Sequence, residues 1–410
     1  MKAAERREAE KVPDDGSKAE SRKAARQLAR AVFESELALR VEAAVATDQP
    51  FVERLVRFWS NHFTVSKQQS NIAHLIGAFE REAIRPHVAG RFEDLLLAVV
   101  RHPAMLMYLD NHQSVGPASK VGIECEVGMN ENLAREILEL HTLGVNGGYT
   151  QADIIALAQM LTGWGVLLRP TPTAGEARPD DTAYRFAGAR HQPGPQRLLG
   201  RDFDAKDARQ AEDALRFVAR QPATARFVCG KLARHFVADT PSDKLVDALS
   251  AVFVESGGDL RRVVAALLAH PESWASPPSK LRTPEEWLIA VGRALGPAFN
   301  STQSGRFEGP GAAWVYAQDW IGQPAFNAPS PAGWPDTQEA WSSPEQLLRR
   351  ISMAEQIGRR ATRYITDVNA WLAGVLGAAA PAALTEAVAG APNAAVAIAL
   401  VFSSPTFLRR

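Results

Sequence analysis

Asn132-Leu133-Ala134-Arg135-Glu136-Ile137-Leu138-Glu139-Leu140-His141-Thr142-Leu143 decides what kind of fold this chain adopts. At about 100° per residue, Leu133, Ile137 and Leu140 form one apolar stripe with Glu136 on its flank. Ala134, Leu138 and His141 form a neighbouring stripe, while Glu139 lies over Arg135 and Asn132. The pattern predicts a helix over 131–143 packed on two sides. Gly144 supplies a left-handed cap, Asn146-Gly147 a turn, and Thr150 with Asp153 a capping box that opens the next helix at 151–162.

The same period extends in both directions. Upstream, helices are expected at about 24–46, 71–84 and 91–100. A further one follows Pro50, where Phe51, Leu55, Phe58, Trp59 and His62 share a face. Downstream they are expected at 207–220, 223–238, 242–256, 259–269 and 284–296, then 344–361, 364–377, 382–390 and 393–403. Four times an apolar helix runs into a polar residue and a proline, at Pro103, Pro222, Pro271 and Pro405, which predicts four helix-to-helix corners. Two stretches break the pattern. Residues 165–200 are rich in Pro, Gly, Arg and Thr, with short strands expected at Tyr184–Phe186 and Arg197–Leu199. Residues 300–341 gather Trp314, Trp320, Trp334 and Trp341 among prolines. The expectation is an all-α, irregular multi-helix bundle with two long irregular loops. Residues 1–23 form a polar N-terminal segment and 24–410 one helical domain, with possible sub-division near 165–206 and 300–341.

Composition narrows the function. The 46 basic and 46 acidic residues cancel, so no global field attracts nucleic acid. No run approaches the ~20 apolar residues of a membrane-spanning helix. The N-terminus lacks the apolar core of a secretory signal, so the chain as it stands is expected in the cytoplasm, or in the periplasm or medium if an export signal precedes it. Cys125 and Cys229 are in no metal-ligand spacing and are expected to be small buried residues. No Gly-x-Ser-x-Gly elbow, His-Glu-x-x-His, dinucleotide fingerprint or Walker sequence occurs.

Polar residues beside apolar stripes carry what chemistry remains. Inward-facing His62, Glu136, Glu139 and His141 could form one cluster inside the bundle, doing general acid–base work or holding a metal. The Glu-x-x-His spacing of di-metal bundles is absent, since Glu139 lies three after Glu136 and His141 two beyond that. Alternatively Arg135 and Glu139 pair on the surface, and Glu136 and His141 bond to loop backbone. Asn61, Asn132, Arg135, Tyr149, Trp164, His191 and Trp334 are candidate binding residues. The aromatic, proline-stiffened loop could serve as a stacking platform for a ligand or partner. No cofactor is named by any of these patterns, and the identity of a metal is left open.

Four segments together carry a resemblance. They are Phe58-Trp59-Ser60-Asn61-His62-Phe63; Asn130 through Gly144; Gly147-Gly148-Tyr149-Thr150 through Leu161-Thr162-Gly163-Trp164; and Pro329-Ser330-Pro331-Ala332-Gly333-Trp334-Pro335. In this order the chain resembles the bacterial family catalogued as domain of unknown function 1800, over about residues 25–410. The resemblance implies an all-helical fold, export in many relatives, and a possible partner in a sulfatase-like exported family. It implies no established activity. Where relatives carry His-Asp-x-Gly-x-Lys, this chain reads His191-Gln192-Pro193-Gly194-Pro195-Gln196. The two charged positions of that pattern are glutamines here.

Overall fold

The structure, a computed structural model, describes residues 15–68, 72–167, 183–274, 278, 280–300 and 312–410. Expectations for 1–14, 168–182 and 301–311 lie outside the described residues. The chain opens with α1 (Asp15–Ala46), which starts ahead of the expected Ala24, and α2 (Pro50–His62). Then come α3 (Ala73–Phe79), α4 (Phe92–Arg101), α5 (Pro103–Tyr108), α6 (Lys120–Cys125), α7 (Asn132–Glu136) and α8 (Gln151–Leu161). Two hairpins follow. The first pairs β1 (Trp164–Val166) with β2 (Tyr184–Phe186), and the second pairs β3 (Gln196–Leu198) with β4 (Arg201–Phe203). After them run α9 (Arg209–Ala219), α10 (Pro222–Phe236), α11 (Asp243–Glu255), α12 (Leu260–Ala269) and α13 (Pro284–Asn300). The last third holds α14 (Ala312–Trp320), α15 (Gln338–Trp341), α16 (Pro344–Ala361), α17 (Val368–Leu376), α18 (Ala382–Ala389), α19 (Ala394–Ser403) and α20 (Pro405–Leu408). The fold is mostly all-α, and among the described residues no helix is long and apolar enough to cross a membrane.

All four proline corners form. His102, Gln221, His270 and Ser404 are extended, with ψ of 135°, 143°, 133° and 146°. The proline ring clashes with a helical residue before it, so the chain must leave the helix there. At three corners a side chain then caps the new helical turn: His102 accepts from the Ala104 N–H, His270 from the Glu272 N–H and Ser404 from the Phe407 N–H. The expected helix end at 296 is a kink, with Gly296 at φ 76° before Pro297 and a last turn beyond them.

The second hairpin shows how a short strand finds its partner. Leu199 and Gly200 have φ of 49° and 78°, the two-residue turn whose twist suits a hairpin. Leucine is a poor choice for that backbone. Asp153 offsets the cost by accepting the Leu199 N–H at 2.7 Å while also closing the Thr150 capping box. Leu198 and Phe203 thereby point into the core.

One continuous buried apolar cluster runs from Phe33 to Phe407. Around it α1 packs on α3, α13 and α14, α10 on α11, and α16 on α19. Cys229 is buried as expected, whereas Cys125 is exposed, because α6 lies on the surface.

Candidate functional site

The quoted stretch 132–143 is not one α-helix. After α7 the backbone widens into a π turn over Ile137–His141. A π turn has a longer period than 3.6, so positions four apart stay on one face. Leu133, Ile137 and His141 therefore remain buried in a row, and Ala134 and Leu138 beside them. Leu140 turns partly outward, as do Glu136 and Glu139. This corrects the expectation of a single His–Glu cluster: the histidines meet and the glutamates do not join them.

His62, at the C-terminal end of α2, places its Nε2 3.0 Å from the His141 carbonyl oxygen. A carbonyl only accepts, so Nε2 carries the proton and Nδ1 presents a lone pair. The rings lie 6.1 Å apart. Burial, with Lys231 as a nearby cation, holds the His62 imidazole well below the usual histidine range and pushes His141 down to about 3. Both are neutral at pH 7. Glu139 instead pairs with Arg135 at 3.7 Å and bonds Tyr149. Arg135 also reaches Glu131 at 3.1 Å. Glu136 is raised by burial and by Glu139, and is half-buried near Tyr108. Asn132 is exposed. Trp164 is buried beneath Arg101, and His191 donates from Nδ1 to the Thr162 carbonyl at 2.9 Å, joining the chain after β2 to the chain before β1. Among the described residues no group of three His, Cys, Asp or Glu side chains is placed to hold a metal ion.

His62 lines a cavity of about 320 Å³. Its walls come from one face of α2 (Phe58, Asn61, His62), one face of α10 (Lys231, Arg234, His235), and the proline-rich segment that ends in Trp334 and Asp336. A reciprocal clamp ties that segment down. Asn61 Nδ2 donates to the Trp334 carbonyl at 2.9 Å, and the Trp334 N–H donates to Asn61 Oδ1 at 2.7 Å. Gly333 makes the approach possible: its φ is 83°, and a Cβ there would meet the Asn61 carbonyl oxygen at 2.4 Å. Three of the four segments quoted from the sequence thus meet at one place. We expect Asn61→Ala to lower unfolding free energy by about 2–3 kcal/mol, since two backbone groups lose their partners. Urea titration followed by tryptophan emission checks this.

A family profile described as protein of unknown function (DUF1800) matches residues 2–409. The chain belongs to this family. No curated protein and no solved structure matches it. In this DUF1800 protein, then, the site must be read from its own geometry.

That geometry includes residues the sequence reading missed. His235 Nδ1 lies 2.8 Å from Asp336 Oδ2, and Lys280, almost fully buried, bonds Asp239 at 2.6 Å and the Asp336 carbonyl at 2.7 Å. On the opposite wall Glu285 is bound by both Arg40 and Arg57, which hold its carboxyl below the usual range despite burial. The signal for α10 was present in the spacing: Phe227, Lys231, Arg234 and His235 fall at i, i+4, i+7 and i+8. Charge on one helix face ordinarily means solvent, and nothing in the spacing showed that a loop a hundred residues later covers it.

Proposed function

We propose that this protein acts by binding, and that the cavity between α2, α10 and the Trp334 segment is its ligand site. The observation carrying this reading is that the residues of three segments are spent on building the wall. Asn61 and Gly333 seat the loop, His62 anchors the π turn, and Thr64 Oγ1 donates to the Asn61 carbonyl at 2.7 Å. The room enclosed, about 320 Å³, suits a small ligand, and Phe58, Phe326 and Trp334 supply apolar surface. The protein partner implied by the family resemblance would meet the exposed Pro329, Ala332 and Pro335 beside the mouth. A thermal-shift screen of small molecules tests the reading. Hits should raise the melting temperature, and Trp334→Ala should weaken them at least tenfold. Hits indifferent to Trp334 and to Lys231 would place the site elsewhere.

One observation favours a second reading, hydrolysis. His235 is oriented by Asp336, and its Nε2 has no hydrogen-bond partner among the described residues, which is the arrangement of a general base. This moves the catalytic alternative away from Glu136, Glu139 and His141. Turnover of simple esters, phosphoesters or glycosides, abolished by His235→Asn, would favour it over binding alone.

A further inference from the structure

Most polar groups on the cavity wall are committed to each other. Ser60 Oγ donates to Glu80 at 2.8 Å, and Asn61 is held by Trp334. Each of the three carboxylates lining the cavity already has a cation: Glu285 has Arg40 and Arg57, Glu286 has Arg410, and Asp336 has Lys280. Two lining cations are left over. Among the described residues Arg234 bonds the Asp239 carbonyl alone, at 3.2 Å from Nε, and Lys231 has no carboxylate within 4 Å. Lys231 lies 5.6 Å from the Phe227 ring, beside the neutral His62 and His141. A half-buried ammonium with no carboxylate in contact is costly unless an anion joins it.

We propose that the cavity takes a small organic oxyanion, a carboxylate or phosphate on a flat apolar body, with the anionic end on Lys231 and Arg234 and the body against Phe58, Phe326 and Trp334. This rests on the binding reading above and specifies its ligand. Burial pushes the Lys231 ammonium down to about 8; Asp336 works against that shift and Arg234 adds to it, so the group is still charged at pH 7. His62 Nδ1 is buried beside this wall and has no hydrogen-bond partner among the described residues.

Calorimetric titration with benzoate, phenyl phosphate, benzamide and inorganic phosphate tests the assignment on the full chain. Benzoate or phenyl phosphate should bind, and benzamide at least tenfold more weakly. Lys231→Met should cost at least tenfold in affinity and Lys231→Arg much less. The Met variant should melt no lower than the parent, because it removes a cation that has no carboxylate in contact among the described residues. If benzamide matches benzoate, or Lys231→Met changes nothing, the anion assignment is overturned while the cavity still binds. Inorganic phosphate binding as tightly as phenyl phosphate overturns the organic body. Absence of binding by all four probes overturns this inference, while hits in the thermal-shift screen that depend on Trp334 would still uphold the binding reading.

Discussion

Glu285→Gln should lower unfolding free energy by about 3–5 kcal/mol, the range for uncovering a buried cation. Glu285 opens α13 and accepts from Arg40 of α1 and Arg57 of α2, both under 10% exposed. Arg40 in turn reaches Glu80 at 2.7 Å, at the start of the π turn over Glu80–Ile84. Four elements are tied through two carboxylates and two guanidiniums at one wall of the cavity. Glutamine keeps the shape and removes the charge, so two guanidiniums would share the single Glu80 carboxylate. The position in the first turn of α13 adds a smaller loss, since the helix dipole favours an anion there. Adding Arg57→Met to Glu285→Gln should recover much of the loss, because the stranded charge then goes too. Urea titration of the two single variants and the double gives the coupling directly. A loss under about 1 kcal/mol for Glu285→Gln would mean that the pair is solvated like an ordinary surface bridge.

The helices were legible because each buries one face, and that leaves a period in the residue order. The proline corners were legible for a different reason, since a ring clash is local and needs no tertiary partner. What escaped were features that depend on a distant contact. The π turn at Ile137–His141 adds less than one residue per turn, too little to disturb a pattern read at 3.6, yet it sends Glu136 and Glu139 away from His141. β1 and β4 are three residues each, too short to show alternation, and exist because Phe186 and Gln196 pair with their ends. Of the candidate site residues, Asn61, His62 and Trp334 line the cavity; His62 stands out as an imidazole on an apolar helix face and Trp334 as an aromatic in a proline-rich stretch. Lys231, His235 and Asp336 were passed over, since a cation on an amphipathic helix or an acid after a proline is ordinary on a surface.

Stability should fall steeply between pH 6.5 and 5, before any carboxylate network is challenged. His62 and His141 are held neutral in the fold, His141 down to about 3, whereas in the unfolded chain each titrates near ~6.5. Below that value the unfolded state binds two protons that the fold excludes, so stability is intact above about pH 6.5 and drains as pH falls. Each histidine removes about 1.4 kcal/mol per pH unit, so the two together remove about 4 kcal/mol by pH 5. His102 and His235 are also depressed, but Glu82 and Asp336 oppose burial there and shorten their contribution. The carboxylates act later: Glu285 and Asp336 are held below the usual range and give way only below about pH 4. His141→Leu isolates the effect, because among the described residues neither ring nitrogen of His141 has a hydrogen-bond partner to lose. Its urea midpoint should match or exceed the parent at pH 7, and its decline toward pH 5 should be shallower by one proton. An unchanged slope would mean that His141 takes up its proton in the folded state, and that burial does not hold it neutral.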